Sequence, residues 1–248
     1  MRQMNVIDAE MTLAEVVNAH PSLARELERR GLDYCCGGAR SLGLASTAKG
    51  LDPAVVAEEL SAAVGVGDAA PDWSTMSVTE LVDHVEATHH RYLWGEMPRL
   101  SALVDKIVSV HGSRHPELGE VSRCYAQIRA DLEPHMLKEE RVLFPLIREL
   151  AASSMAASPT AVESHCGSVR NPISVMLAEH DVVGTLLEEL SGLTDGYQPP
   201  PDGCATYQAC YAGLAELEAD THLHIHKENN VLFPAAIRLE QALGATIS

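Results

Sequence analysis

An all-α fold, a four-helix bundle preceded by a small helical domain, is what this sequence predicts, and three observations lead there. Hydrophobic residues make up 46% of the 248 positions but aromatics only 4%, so Leu, Val, Ala, Ile and Met must fill the core. That composition suits helix-on-helix packing better than a β-sandwich. From Ser77 onward, amphipathic stretches are interrupted at His111 to Pro116, Ala152 to Pro172 and Ser191 to Gly203, and three breaks make four helices. Finally, His135-Met-Leu-Lys-Glu139-Glu-Arg-Val-Leu-Phe-Pro145 recurs as His224-Ile-His-Lys-Glu228-Asn-Asn-Val-Leu-Phe-Pro234, identical at seven of eleven positions. Both phenylalanines of the chain sit at the same place in this repeat, so the second and fourth helices read as related copies.

The N-terminal elements follow from cap chemistry. Thr12 and Glu15 have capping-box spacing ahead of an apolar run. Gly31 stands where a C-terminal cap belongs after Ser22 to Arg30, and Asp52-Pro53 places an N-cap before a first-turn proline. Between them lies the turn-prone Asp33-Tyr34-Cys35-Cys36-Gly37-Gly38. Gly65 to Pro71 reads as linker, which gives a small helical domain at 1–65, a linker at 66–76 and the bundle at 77–248. The long Ala- and Ser-rich middle break joins two helical hairpins.

Charge and cysteine content exclude whole classes of partner. A formal net charge of -17 opposes broad attraction to nucleic acid or to an anionic membrane. No run of eighteen apolar residues and no basic start followed by an apolar stretch occurs, so a cytoplasmic protein is expected. Six cysteines in a chain of this size read as reduced thiols.

In each copy of the repeat, His and Glu are four apart and share one helix face, so both can grip one metal centre. A single copy would read equally well as an ordinary surface pair; two copies on opposite hairpins point to metal. The partner helices then owe one ligand each. His180 shares a stripe with Val183, Leu187 and Leu190, and His90 has the same apolar offsets in Leu93, Met97 and Leu100. On a straight helix His89 points well away from that stripe, and His84 about 120° away. His90 and His135 are 45 residues apart and His180 and His224 are 44 apart, with a predicted turn midway in each case. Four His and two Glu without thiolate fit two ions bridged by the carboxylates, a donor set open to iron, manganese or zinc. Glu179 and Asp181 are placed to orient a ligand imidazole, or simply to line a solvated face. His222 and His226 turn to other faces than His224, towards solvent or outer positions, and His20, His115 and His165 read as surface residues.

With these residues in hand, the chain resembles the repair-of-iron-centres family, which joins a short domain bearing Asp-Tyr-Cys-Cys-Gly-Gly to a hemerythrin-like di-iron bundle. The resemblance covers nearly the whole chain and is carried by Asp33 to Gly38, by Pro172 to Met176 leading into Glu179-His180-Asp181, and by the two repeats. It implies that His90, His135, His180 and His224 are terminal iron ligands and that Glu139 and Glu228 bridge two iron ions. It also implies repair of iron-sulfur clusters damaged by nitric oxide or oxidants, with damaged iron-sulfur proteins as clients and iron donation as the means. At Thr88-His89-His90 the chain departs from the family, which places Tyr before the ligand His, so His89 stays open beside His90. The family also has a His matching His111, but on one straight helix that residue would lie about 31 Å from His90. Cys35 and Cys36 are redox or iron-relay candidates on this resemblance. A bond between adjacent cysteines would be strained and easily reduced, since their α-carbons are only about 3.8 Å apart. The competing reading is a hemerythrin-like binder or sensor of oxygen or nitric oxide, which needs the bundle alone; a third is a metal that merely staples the helices.

Overall fold

A computed structural model describes residues 6–64, 73–156, 162 and 166–247. Its described residues form helices and turns, with one isolated β-bridge between Thr12 and Ser41. The chain divides into two compact units that do not follow chain order: Met1–Ser77 with His222–Ala235, and Val78–Thr221 with Ala236–Ser248.

The first unit opens with α1 (Leu13–Ala19), where Thr12 and Glu15 close the expected capping box. A short α2 (Ala24–Glu28) ends before Gly31, which takes φ +63°, a left-handed conformation that glycine adopts without steric cost. After α3 (Leu42–Ala48), the Asp52 carboxylate caps α4 (Pro53–Ala63) by accepting from the Ala54 N–H. Leu13, Val16, Val17, Leu23, Leu27, Leu42 and Leu60 are buried here, each worth about 1.5–3 kcal/mol of transfer free energy. Most of the linker expected at 66–76 lies outside the described residues. Trp73 is described and buried; its Nε1 donates to Asn18 and its ring lies under the Lys227 ammonium.

The second unit holds the four helical arms. One is α5 (Val78–Val85) running through a π-turn at Glu86–His90 into α6 (Arg91–His111). Another is α7 (Leu118–Lys138), a π-turn at Glu139–Leu143, and α8 (Phe144–Met155). The third arm is α9 (Arg170–Leu193), and the fourth is α10 (Ala205–Lys227) as far as Thr221. A third π-turn at Glu228–Leu232 leads from α10 into α11 (Phe233–Ile247). The middle helix α7 packs against both α6 and α9, and α5 against α8. Apolar stripes face inward at helical spacing: Leu93, Met97, Leu100, Val104 and Ile107 on α6, and Ile173, Met176, Val183, Leu187 and Leu190 on α9. Pro98 and Pro134 lie inside α6 and α7 without ending either helix.

Helices α6 and α10 approach closely at Gly213, where a Cβ would stand 2.6 Å from Cδ2 of the buried Leu100. Gly95 on α6 has nothing within 4 Å of such a Cβ. Both changes to Ala carry the same gain in helix propensity, about 1 kcal/mol, so packing alone separates them. Gly95→Ala is expected to raise the midpoint of urea unfolding and Gly213→Ala to lower it; equal shifts would show that the α6–α10 approach is slack.

Candidate metal centre

The second unit brings His90, His135, Glu139 and His180 together. His135 and Glu139 sit one turn apart at the end of α7, and the Nε2 of His135 is 3.3 Å from a Glu139 carboxylate oxygen. The same oxygen lies 3.3 Å from Nε2 of His90, the last residue of the π-turn that leads into α6. From α9, His180 places its Nε2 3.1 Å from that of His135. All four side chains are at most 1% exposed.

Outer carboxylates fix the direction of two of these rings. Glu140 accepts from Nδ1 of His90 at 2.9 Å and also from the Trp94 indole at 3.0 Å. Glu179 accepts from Nδ1 of His135 at 2.9 Å and is ion-paired with Lys138. Burial pushes the Glu179 carboxyl up, but hydrogen bonds from Lys138 and His135 outweigh it and hold the group below the usual carboxylate range. An ionised carboxylate only accepts, so Nδ1 of each ring carries the proton and Nε2 of the neutral ring presents a lone pair. Two lone pairs then converge on the oxygen of a buried carboxylate. That arrangement is repulsive unless the rings take second protons or a cation lies among the three atoms. Imidazole and carboxylate donors in this number fit a divalent transition metal. Phe144 stacks on His90 with ring centroids 5.5 Å apart and closes one side against water.

His224 and Glu228 belong to the first unit and repeat the one-turn contact, Nε2 to carboxylate oxygen at 3.2 Å, both residues buried. The same turn grips the Cys-Cys loop. His226 contacts the Tyr34 carbonyl through Nδ1 at 3.1 Å and Asn18 through Nε2 at 3.0 Å, and burial pulls its imidazole down to about 4. Asn229 and Asn230 donate to the Cys35 carbonyl at 3.3 and 3.0 Å. Gly38 permits the approach, since a Cβ there would meet the Tyr34 carbonyl and Asn230 Oδ1 at 2.6 Å. The Asp33 carboxylate shapes the loop by accepting from the backbone N–H groups of Cys35, Cys36 and Gly37 at 3.1, 2.9 and 2.8 Å. Cys35 and Cys36 are free thiols with sulfurs 3.9 Å apart. Hydrogen bonding to Cys36, burial and the Asp33 charge push the Cys35 thiol well above its ordinary range.

Several histidines fall elsewhere than their sequence positions led us to expect. Of the two positions open to His226, solvent or an outer one, it takes a fully buried outer one against the Cys-Cys loop, and His20 is buried rather than at the surface. His165 lies outside the described residues. His89 is buried and paired through Nδ1 with Asp220 at 2.8 Å. At the far end of an unbroken α6, His111 is paired with Cys204. One signal for the buried His226 is present in the sequence: three of the four positions at which the two repeats differ, Leu137 against His226, Glu140 against Asn229 and Arg141 against Asn230, are those that hold the Cys-Cys loop in the second copy.

Residues 81–236 match the Hemerythrin HHE cation binding domain, and residues 9–64 match the ScdA_N domain, described as of unknown function. The chain is 32% identical over 228 residues to the iron-sulfur cluster repair protein YtfE of Escherichia coli O17:K52:H18 (strain UMN026 / ExPEC), covering 92% of this chain and 97% of that protein. The same figures hold for the protein of that name from Shigella boydii serotype 4 (strain Sb227).

Asp33→Ala removes an acceptor shared by three backbone N–H groups and is expected to cost about 2 kcal/mol and to raise the alkylation rate of Cys35, while Asp33→Asn loses less of both. Thermal unfolding and thiol labelling check this; unchanged Cys35 labelling in Asp33→Ala would show that the loop holds itself.

Proposed function

The chain belongs to the family of iron-sulfur cluster repair proteins that join an ScdA_N domain to a hemerythrin HHE cation binding domain, and from that premise we propose that it repairs iron-sulfur clusters damaged by nitric oxide or oxidants, by donating iron from a carboxylate-bridged pair of iron ions. In this reading His90, His135, His180 and His224 would be the terminal ligands, and Glu139 and Glu228 the bridging carboxylates. Glu140 and Glu179 orient the imidazoles of His90 and His135. Iron bound there would supply labile metal to an acceptor, and Cys35 and Cys36 would receive iron or electrons on the way. Damaged iron-sulfur proteins are the clients. No helix among the described residues is long and apolar enough to cross a membrane.

The observation that carries the proposal is the grip of the second repeat on the Cys-Cys loop. His224 and Glu228 stand on the same helical turn as His226, Asn229 and Asn230, which hold the carbonyls of Tyr34 and Cys35. A domain that only bound a gas would have no use for a thiol loop fixed to a ligand-bearing turn.

Elemental analysis of the intact protein is expected to give about two irons per chain, lost in the Glu139→Ala, Glu228→Ala double variant. A single zinc, or metal unchanged in that variant, would overturn the assignment. Glu140→Ala is expected to weaken iron retention about 10–100-fold with helix content unchanged in circular dichroism, because it releases the His90 ring. Iron is expected to leave the loaded protein for an apo iron-sulfur acceptor. Iron that stays bound while the reduced protein reversibly takes up oxygen or nitric oxide would move the function to gas binding.

A further inference from the structure

We propose that Cys204, paired with His111, is a thiolate site for exchange with small-molecule disulfides, separate from the metal centre and from the Cys-Cys loop. Both residues belong to the four-arm unit. Cys204 directly precedes α10 and is exposed, while His111, the last residue of α6, is 3% exposed. Nε2 of His111 lies 3.2 Å from the Cys204 sulfur. On the other side of the ring, Arg114 donates to Nδ1 at 3.2 Å. Arginine has no lone pair to offer, so Nδ1 is an acceptor and Nε2 carries the hydrogen that points at sulfur. The edge of Tyr207 holds the imidazole in place, ring centroids 5.4 Å apart.

The backbone N–H groups of Thr206 and Tyr207, in the first turn of α10, add a smaller electrostatic pull in the same direction. The sulfur therefore stands at the N-terminus of a 23-residue helix and accepts the hydrogen of His111, and both favour the anion. The His111 hydrogen bond is the largest influence and, with those N–H groups, brings the thiol from 9.0 down to about 7. Other charged groups around the pair balance one another. Asp202 faces His115 at 3.0 Å and Arg114 at 3.7 Å, and His115 also faces Glu117 at 2.9 Å. Tyr207 and Tyr211 bond to each other through their hydroxyls.

In the exchange, the Cys204 thiolate attacks one sulfur of a small disulfide. The new sulfur–sulfur bond forms as the old one breaks, and the second sulfur leaves with the electron pair as a thiolate that solvent protonates. No external oxidant enters, and His111 keeps its hydrogen throughout. At pH 7 such a sulfur is about half thiolate, against about one part in a hundred for a thiol titrating at 9.0; lower intrinsic nucleophilicity takes back part of that, leaving an advantage of about sixfold.

The test treats the full-length, iron-loaded protein with glutathione disulfide across about pH 5 to 10 and follows the Cys204 adduct by peptide mass mapping. The expected rate profile turns near 7, the adduct is absent in Cys204→Ser, and the turning point moves towards 9 in His111→Phe, which keeps the ring but loses the donor. Arg114→Ala, at an exposed position, is expected to move it the same way by a smaller amount and serves if His111→Phe does not fold. No adduct at Cys204 in the wild-type protein, a wild-type profile that turns near 9, or a turning point unmoved in the folded variants would overturn the proposal.

Discussion

A carboxylate without exposed surface stands between two imidazoles whose lone pairs face it, and much of the surrounding structure follows from that constraint. Glu139 and the Nε2 atoms of His90 and His135 form the contact. The rings cannot turn away, because Glu140 and Glu179 hold their Nδ1 hydrogens from outside. Glu179 in turn is balanced by Lys138. Each acidic group added to fix a ring raises the negative charge around the centre, which makes a bound cation more favourable and an additional proton on each ring the weaker solution. Charge that looks excessive in the composition is thus partly local and directed.

The π-turns are the second consequence. Among the described residues, two of the three begin on the carboxylate of a repeated His–Glu pair, at Glu139 and Glu228, and the third ends on His90. In the repeats Pro145 and Pro234 follow the turn and lack the N–H that an α-helix would aim at the carbonyl four residues back, which suits a widened turn although Pro98 and Pro134 stand in regular helix. No proline lies in or directly after Glu86–His90, so nothing in the residues announces that turn. The straight-helix reading consequently placed His90 inward and turned His89 away, whereas the widened turn buries both, one beside Glu139 and the other against Asp220. Cap positions, the four long helical segments and the His–Glu pairs were legible because they depend on local spacing. Rotation about a helix beyond a π-turn depends on the neighbour it packs against.

The repeat carries two messages, and only one is in its identities. Residues the copies share, His135 with His224 and Glu139 with Glu228, form the same buried one-turn His–Glu contact in each copy. Residues that differ serve what only one copy touches. Glu140 holds His90, whereas its counterpart Asn229 donates to the Cys35 carbonyl. Even the shared lysines diverge in partner, with Lys138 on Glu179 and Lys227 over Trp73. A duplicated helix can keep its metal chemistry and gain a docking surface because the ligand face and the outer face of one turn vary independently.

Thiol chemistry in this chain is decided by which partner supplies the hydrogen. Cys35 donates to Asp33 and to Cys36, so its sulfur is held protonated. Cys210 is fully buried in α10, and burial alone pushes it up to about 12. Six residues earlier in the chain, Cys204 accepts from the His111 imidazole at the start of α10, and its thiol is brought down to about 7. Sequence spacing treats Cys204 and Cys210 alike, because neither stands in a ligand pattern. What separates them is that His111, more than ninety residues away, arrives at the end of α6 with its Nε2 hydrogen already directed by Arg114. A helix unbroken from Arg91 to His111 therefore carries two different histidine functions at its two ends: one ring beside its start with Nδ1 protonated to leave a lone pair for metal, and one at its finish with Nε2 protonated to leave a hydrogen for sulfur.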